Sequence, residues 1–271
     1  MKIQIVMSSI NLWAKYTKPA IESVNEAMVR AKAHGIDCHL LLIDNASTDN
    51  TATEAIKMVS ELFTYRRNTE RWGFQKSANF GINEGFKQGS DIALVLNNDL
   101  ILHPEFIWRI GERFEKGGVV MVTGMPVDGE MREKKIPPEQ VSLLLAKDKE
   151  SVDETPHPCF SAFALNKECW DTVGEFDEVF APAYFEDNDY HYRIQLAGLM
   201  AILLPTAMFF HFGSRTQLEG NESGRVMVPA PMFENNRAVY IKKWGGMPSA
   251  EKYEYPYNDP LAPITRVKQT P

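Results

Sequence analysis

The sequence predicts an α/β fold with a mostly parallel central sheet and helices on both faces. Three observations carry that expectation. Strand-length apolar runs alternate with amphipathic helical spacing through the first half of the chain. Three of those runs end in polar clusters: Ser8-Ser9, Asp44-Asn45 and Asn97-Asn98-Asp99. Parallel strands gather such ends at one sheet edge, the edge where open α/β sheets bind ligands. Finally, 271 residues with 44% apolar content suffice for one large domain and a short appendage.

In order, Ile3–Ser8 reads as a strand. Pro19–Ala33 has helical apolar spacing at Ile21, Val24, Ala27, Met28 and Ala31, and ends at Gly35, a residue suited to a C-cap. Cys38–Ile43 reads as a buried strand. Thr51 with Glu54 resembles a capping box opening a helix to about Leu62. Phe63–Arg66 is a short strand, Gln75–Gln88 an amphipathic helix ended by Gly89, and Ile92–Leu96 a buried strand. Pro104 fits the first turn of a helix running to Lys116, and Val119–Thr123 is the next strand. Met125–Pro158 carries Pro126, Pro137, Pro138, Pro156 and Pro158 and reads as a long excursion with a short helix, Gln140–Ala146. Strands follow at Cys159–Leu165, Ala201–Leu204 and Met208–His211, with helices at Glu186–Ala197 and Pro231–Lys243. The expected organisation is a single domain over 1–246, with halves 1–124 and 125–246, and a tail over 247–271.

Net charge is −7, which argues against a nucleic-acid footprint without excluding a local basic patch. The three cysteines, Cys38, Cys159 and Cys169, form no CxxC pair or zinc spacing, which fits a reducing cytoplasmic setting. No apolar run approaches the ~18 residues of a membrane span, and the apolar part of the N-terminus is too short for a signal peptide. A peripheral position at a membrane surface stays open.

Five constellations can do chemistry. Asp99 closes a buried strand with a carboxylate that can hold a hard divalent cation, and the cation can hold a diphosphate. Asp44, at another strand end, can accept hydrogen bonds from a base or ribose, although Asp44-Asn45-Ala46-Ser47-Thr48-Asp49 could equally be turn and cap. Gly73 precedes a helix N-terminus, a place suited to anions, or makes a simple turn. Glu186-Asp187-Asn188-Asp189 follows an aromatic-rich stretch. Acidic residues suit a helix's first turn for dipole reasons, and Asp187 at a pocket edge can act as a general base. His211, ending an apolar strand, can supply neutral imidazole to a metal or serve structurally, and Arg215 can clamp phosphate. P-loop, HExxH and GxSxG motifs are absent.

As an ordered set these residues resemble a known family. Asp44-Asn45-Ala46-Ser47-Thr48-Asp49, Asn68 to Gly73-Phe74 with Asn79 and Gly81, and Leu96-Asn97-Asn98-Asp99 resemble family 2 glycosyltransferases of the GT-A (nucleotide-diphospho-sugar transferase) fold. Val173-Gly174-Glu175-Phe176-Asp177-Glu178, Tyr184-Phe185-Glu186-Asp187-Asn188-Asp189, Arg193 and Lys243-Trp244-Gly245 are similar to the rhamnosyltransferase-like branch. The resemblance implies an inverting hexosyl- or deoxyhexosyltransferase with a UDP-, dTDP- or GDP-sugar donor and bound Mn²⁺ or Mg²⁺. It implies Asp187 as catalytic base, and Asp99 with His211 as metal ligands. Donor contacts would come from Ser8, Asp44, Asn45, Arg71, Gly73, Asn79, Asn97, Asn98 and Arg215. Acceptor-side contacts would come from Phe160, Trp170, Tyr184 and Glu186. Asn97 replaces the first acid of the family's DxD-type motif, and Met7-Ser8-Ser9-Ile10-Asn11 departs from its usual first-strand ending.

Two rival readings are a nucleotidyltransferase and a non-catalytic sugar- or partner-binding protein of the same fold. The first requires a glycine-rich phosphate loop near the first strand, and Met7–Trp13 has no glycine. The second is separated from an enzyme by donor hydrolysis or transfer. The acceptor is open: a glycan, a lipid-linked sugar, a protein, another hydroxyl compound or a modified nucleobase.

Overall fold

The computed structural model describes residues 1–127, 158–213 and 230–261. The expected helix Gln140–Ala146 and Arg215 lie outside the described residues. Eight strands, β1 (Lys2–Ser9), β2 (Asp37–Asp44), β3 (Phe63–Arg67), β4 (Ile92–Leu96), β5 (Leu100–Leu102), β6 (Met121–Pro126), β7 (Ala162–Asn166) and β8 (Ala201–His211), form one sheet. Its order is β3-β2-β1-β4-β7-β6-β8-β5. The helices are α1 (Lys18–Ala33), α2 (Thr51–Ala55), α3 (Phe74–Lys87), α4 (Phe106–Glu115), α5 (Lys167–Val173), α6 (Glu186–Leu196) and α7 (Ala230–Trp244).

The sheet matches the mostly parallel expectation only in part. β3, β2, β1 and β4 run parallel, and β6 is parallel to β8, but β7 is antiparallel to both β4 and β6, and β5 is antiparallel to β8. A reversed β7 brings its beginning, not its end, to the edge where β1, β2 and β4 finish. Ala201–His211 is one strand instead of two. Its pairing with β6 shifts register at Gly124/Met125, close to Pro205, which has no N–H to give a ladder. The helix at Thr51 is also shorter than expected. Asp49 Oδ1 accepts the Thr51 N–H and hydroxyl, so Asp49 does the capping in place of the expected box. Val59 turns extended, and paired bonds between Ser60 and Phe63 start β3.

Side-chain alternation along β1 splits the core in two. Ile3, Ile5 and Met7 face α1 and α4, where Ile21, Val24, Phe106 and Ile110 complete one cluster. Val6 faces the other way, with Ile82 of α3, Trp170 of α5 and Tyr190 of α6. Helices therefore cover both faces, as the period-3.6 stripes require.

α3 packs tightly on β1. A Cβ on Gly81 would stand 2.3 Å from Val6 Cγ1 and 2.7 Å from Cγ2. Val6 is buried and stiff at χ1, so it cannot swing away. Alanine in a helix gains about 1 kcal/mol over glycine, whereas overpacking costs about 1–3 kcal/mol. With an approach this short the cost falls in the upper part of that range, so Gly81→Ala is expected to lose about 1–2 kcal/mol net in urea unfolding. An unchanged midpoint would contradict this packing.

Candidate active site

Register brings the polar strand ends together. Ser9 lies opposite Asp44 across β1/β2, and Met7 lies opposite Leu96 across β1/β4. Leu96 lies opposite Ala162 at the start of β7, and the Asn97 N–H donates to the Ser161 carbonyl at 3.0 Å. On the far side, the Phe212 N–H donates to the Asp99 carbonyl at 2.9 Å, which seats His211 beside Asp99. The result is a cavity of about 530 Å³ along the sheet edge. The strand ends contribute Ser8, Asn45, Asn97 and Asp99, its floor, and the segment entering α6 contributes Pro182, Tyr184, Glu186 and Asp187, its wall.

Within the floor, His211 Nε2 is 3.1 Å from Asp99 Oδ1, and Nδ1 is 3.3 Å from Ser161 Oγ. Asn97 Nδ2 stands 3.4 Å from the same Nε2. Asn98 is committed elsewhere: its amide donates to Thr17 Oγ1 at 2.9 Å.

The wall enters α6 through two residues with left-handed backbone, Tyr184 (φ 79°) and Phe185 (φ 72°). Such conformations cost energy and persist only where the surroundings hold them. Asn236 of α7 supplies that hold, donating from one amide nitrogen to Phe180 O at 2.7 Å and Ala183 O at 2.9 Å. Below them sits a buried ionic network. Arg193 Nε reaches Asp189 Oδ2 at 2.9 Å, while its other nitrogens donate to the Val173 and Glu175 carbonyls. Lys243 Nζ bridges Asp189 at 2.7 Å and Asp177 at 2.6 Å. Trp244 Nε1 donates to Asp189 Oδ1 at 2.8 Å. Burial pushes the Asp189 carboxyl up, but the charges of Arg193 and Lys243 outweigh it and hold its pKa below the usual range. Two acids and two bases balance, so no net charge is buried.

Glu186 and Asp187 behave differently. Burial, then the charge of Asp187, pushes Glu186 up to about 8. Burial also raises Asp187, against the Asn188 N–H and its own backbone N–H, which favour the charged form. Asp187 Oδ1 accepts that Asn188 N–H at 2.8 Å.

With this geometry in place, the comparisons can be read. The sequence model for glycosyl transferase family 2 matches residues 4–173. The chain belongs to glycosyl transferase family 2. It is 32% identical over 105 residues to a galactofuranosyl glycosyltransferase of Leishmania donovani, a match covering 38% of this chain and 23% of that relative. The matched part thus spans about a quarter of the relative's length. Among solved structures, GalNAc-T7 with UDP, GalNAc and Mn²⁺ superposes with a TM-score of 0.64 at 14% identity, over 90% of this chain and 48% of that one. The mannosyltransferase PcManGT from Pyrobaculum calidifontis, in complex with GDP-Man and Mn²⁺, gives 0.56 at 15% identity, over 86% and 67%. These likenesses show a shared fold, that of GT-A glycosyltransferases.

For this family-2 chain, the cavity unites Ser8, Asn45, Asn97, Asn98, Asp99, His211, Phe160, Tyr184, Glu186 and Asp187 from the sequence expectations. Five others are not among its lining residues. Asp44 is fully buried, accepting the Ser47 N–H at 2.9 Å and the Tyr65 hydroxyl at 2.7 Å, so it orders the 44–49 turn. Asn79 exchanges both amide groups with the Phe176 backbone, at 2.8 and 2.9 Å, and so staples α3 to the loop before α6. Trp170 is a core residue whose Nε1 donates to Asn83 at 3.0 Å. Arg71 is exposed. Gly73 stands behind the wall, and the Phe74 N–H after it donates to the Pro182 carbonyl instead of waiting for an anion. Sequence reasoning missed Trp72 and Ser161, which line the cavity, and Asn236, which holds the wall. Ser161 is hard to find because a lone serine before a strand carries no signal until His211 is placed beside it.

A divalent cation suits the floor. Among the described residues no group of three His, Cys, Asp or Glu side chains could hold a metal ion. Asp99 and His211 are two adjacent oxygen and nitrogen donors, and cations that bind with substrate phosphates need few protein ligands. Ser161 as partner of Nδ1 would leave Nε2 as the coordinating atom.

Breaking a buried pair by removing one partner costs about 3–5 kcal/mol. Lys243→Met is therefore expected to lower unfolding stability by that order, read by guanidinium denaturation. A loss under about 1 kcal/mol would show that the network does not hold the wall.

Proposed function

We propose that this cleft transfers a sugar from a nucleotide-diphosphate donor to an acceptor hydroxyl with inversion at the anomeric carbon, with Asp187 as general base. One observation supports this above the others: Asp99 and Asp187, from distant parts of the chain, line the same cavity of about 530 Å³. The donor is a UDP-, dTDP- or GDP-sugar. Asn97 and Ser8 present hydrogen-bonding groups along the edge where the nucleotide and diphosphate would lie, while the Asn45 amide, held by Ser77 and Asn68, shapes that edge. When bound to Asp99 and His211, Mn²⁺ or Mg²⁺ supplies Lewis-acid neutralisation of the departing diphosphate.

The residues of the chain perform the rest. Asp187 takes the acceptor hydroxyl proton as that oxygen bonds to the anomeric carbon and the carbon–phosphate-oxygen bond breaks. A carboxylate whose Oδ1 is oriented by the Asn188 N–H keeps a second oxygen for that proton. One base on one face suits a single displacement. Aromatic side chains at Trp72, Phe160 and Tyr184 exclude water and offer flat apolar faces to a sugar ring. The rhamnosyltransferase-like branch remains the finer reading, resting on Tyr184-Phe185-Glu186-Asp187-Asn188-Asp189 with Arg193 and Lys243-Trp244. Family membership favours transfer over the nucleotidyltransferase alternative.

Asp187→Asn is expected to keep donor binding and lose transfer by roughly 10²–10⁴-fold, the usual worth of a positioned general base. Because burial raises Asp187, wild-type transfer should fall as pH drops through a midpoint above the ordinary 3.8 of an aspartate. Equal turnover by the asparagine variant in a sugar-transfer assay would remove Asp187 from the role. For the floor, a nucleotide sugar with Mn²⁺ is expected to raise the melting temperature of the wild type, since a ligand that binds only the native state stabilises it. Asp99→Asn should abolish the Mn²⁺-dependent part of that rise. An equal rise in the variant would place the cation elsewhere.

A further inference from the structure

We propose that Arg66 is a positioning residue for the nucleotide part of the donor. It acts from outside the cavity, by fixing the direction of a chain of amides that ends at Asn45 and by holding Trp72 in place. The inference rests on reading the cavity as a nucleotide-sugar site, and it adds to that site a residue that touches no substrate.

Arg66 belongs to β3, an edge strand of the sheet. It lines a separate groove of about 400 Å³ with Gln4, His39, Thr64, Phe80 and Glu84, and it is not among the residues lining the candidate site. Its side chain is exposed, yet it is held on three sides. The guanidinium carbon lies 4.2 Å from the centre of the Phe80 ring and 5.3 Å from that of Trp72. Those rings meet edge to face with centres 5.7 Å apart, so the cation sits in the corner between them. Arg66 Nε donates to Asn68 Oδ1 at 3.3 Å.

That bond starts a directed chain. Asn68 Nδ2 donates to Asn45 Oδ1 at 2.9 Å, and Asn45 Nδ2 donates to Ser77 Oγ at 3.2 Å. Asn68, Asn45 and Ser77 are all buried. An amide can turn either its oxygen or its nitrogen to a neighbour, and a hydroxyl can donate or accept. Ser77 Oγ also lies 3.3 Å from Asn45 Oδ1, so the serine can serve either direction. The guanidinium can only donate. It obliges Asn68 to give it the oxygen and to offer the nitrogen to Asn45, which must answer with its own oxygen. Without a donor at position 66, both amides can turn over together and keep their mutual bond. Asn45 lines the cavity, so the reversal would exchange donor and acceptor at the edge where the nucleotide would lie.

The same side chain reaches the far end of the loop. Residues 68–73 join β3 to α3, and Trp72 lines the cavity. Lys76 of α3 also stands over the Trp72 ring, at 4.7 Å, and is engaged by Glu70 at 3.5 Å. Arg66 thus ties the start of the loop, through Asn68, to its end, through Trp72.

The test titrates UDP, dTDP and GDP, each with Mn²⁺, into the wild type and variants by calorimetry. Arg66→Lys keeps a cation that can only donate, and it should bind within about threefold of the wild type. Arg66→Met keeps a long stem without donor or charge and should bind roughly 5- to 30-fold more weakly. Arg66→Glu puts an acceptor where the donor stood, which turns the amides over, and should bind more weakly than Arg66→Met. A second measurement needs no ligand. In ¹⁵N spectra the indole N–H signal of Trp72, identified by its loss in Trp72→Phe, should move in Arg66→Met. The signals of Trp170 and Trp244, held by Asn83 and Asp189, should stay in place. Binding by Arg66→Met as tight as the wild type, binding by Arg66→Lys as weak as Arg66→Met, or an unmoved Trp72 signal would overturn the proposal. If Arg66→Met does not fold, Arg66→Glu against Arg66→Lys decides, since both are charged and differ in accepting or donating. If none of the three nucleotides binds the wild type, the donor reading fails, and the indole signal still decides whether Arg66 holds Trp72.

Discussion

The cleft depends on a buried charge balance. Asp189 and Asp177 are joined through Lys243, and Asp189 is also held by Arg193 and Trp244. These five residues come from α6, α7 and the loop between α5 and α6. Asp189 lies two residues after Asp187 in the same helix. Fixing Asp189 therefore fixes where Asp187 can stand. Buried ion pairs are weak sources of stability compared with apolar packing, but they are intolerant of a missing partner. That intolerance makes the network a good device for position: the wall is either seated with all four charges paired or not seated.

The floor is built on a different principle. Backbone ladders bring Ser8-Ser9, Asn45 and Asn97 to a common edge, and only then do side chains choose partners. β7 matters here because it runs backwards. Its first residues, instead of its last, meet Asn97, so Phe160 and Ser161 join the edge that the parallel strands end on. An all-parallel sheet would put these two residues at the opposite end. The mixed pairing is thus what brings Phe160 and Ser161 to the cavity.

Much of this was legible in the sequence. The apolar runs ending in Asp44-Asn45 and Asn97-Asn98-Asp99 announce strand ends, and strand ends of parallel strands converge. That Asp99 and Asp187 share a cleft followed from the ordered motifs. The misreadings have a common cause. Asp44, Asn79 and Trp170 are residue types that bind ligands and also satisfy their own backbone or core, and sequence does not say which partner wins. In the folded chain the Ser47 N–H, the Phe176 backbone and Asn83 win. Asn236 was invisible for a related reason. Its role depends on three carbonyls from a loop some fifty residues earlier, at Phe180, Ala183 and Tyr184. The strand at Leu100–Leu102 escaped because three apolar residues after a turn are too few for a periodicity.

The most direct test of the account is a crystal structure with Mn²⁺ and a slowly transferred nucleotide-sugar analogue, using manganese anomalous scattering to locate the ion. The account predicts the ion against Asp99 and His211, the diphosphate on it, and the anomeric carbon facing Asp187 across the cavity. An ion bound away from Asp99, or a sugar lying with its anomeric carbon out of reach of Asp187, would contradict it.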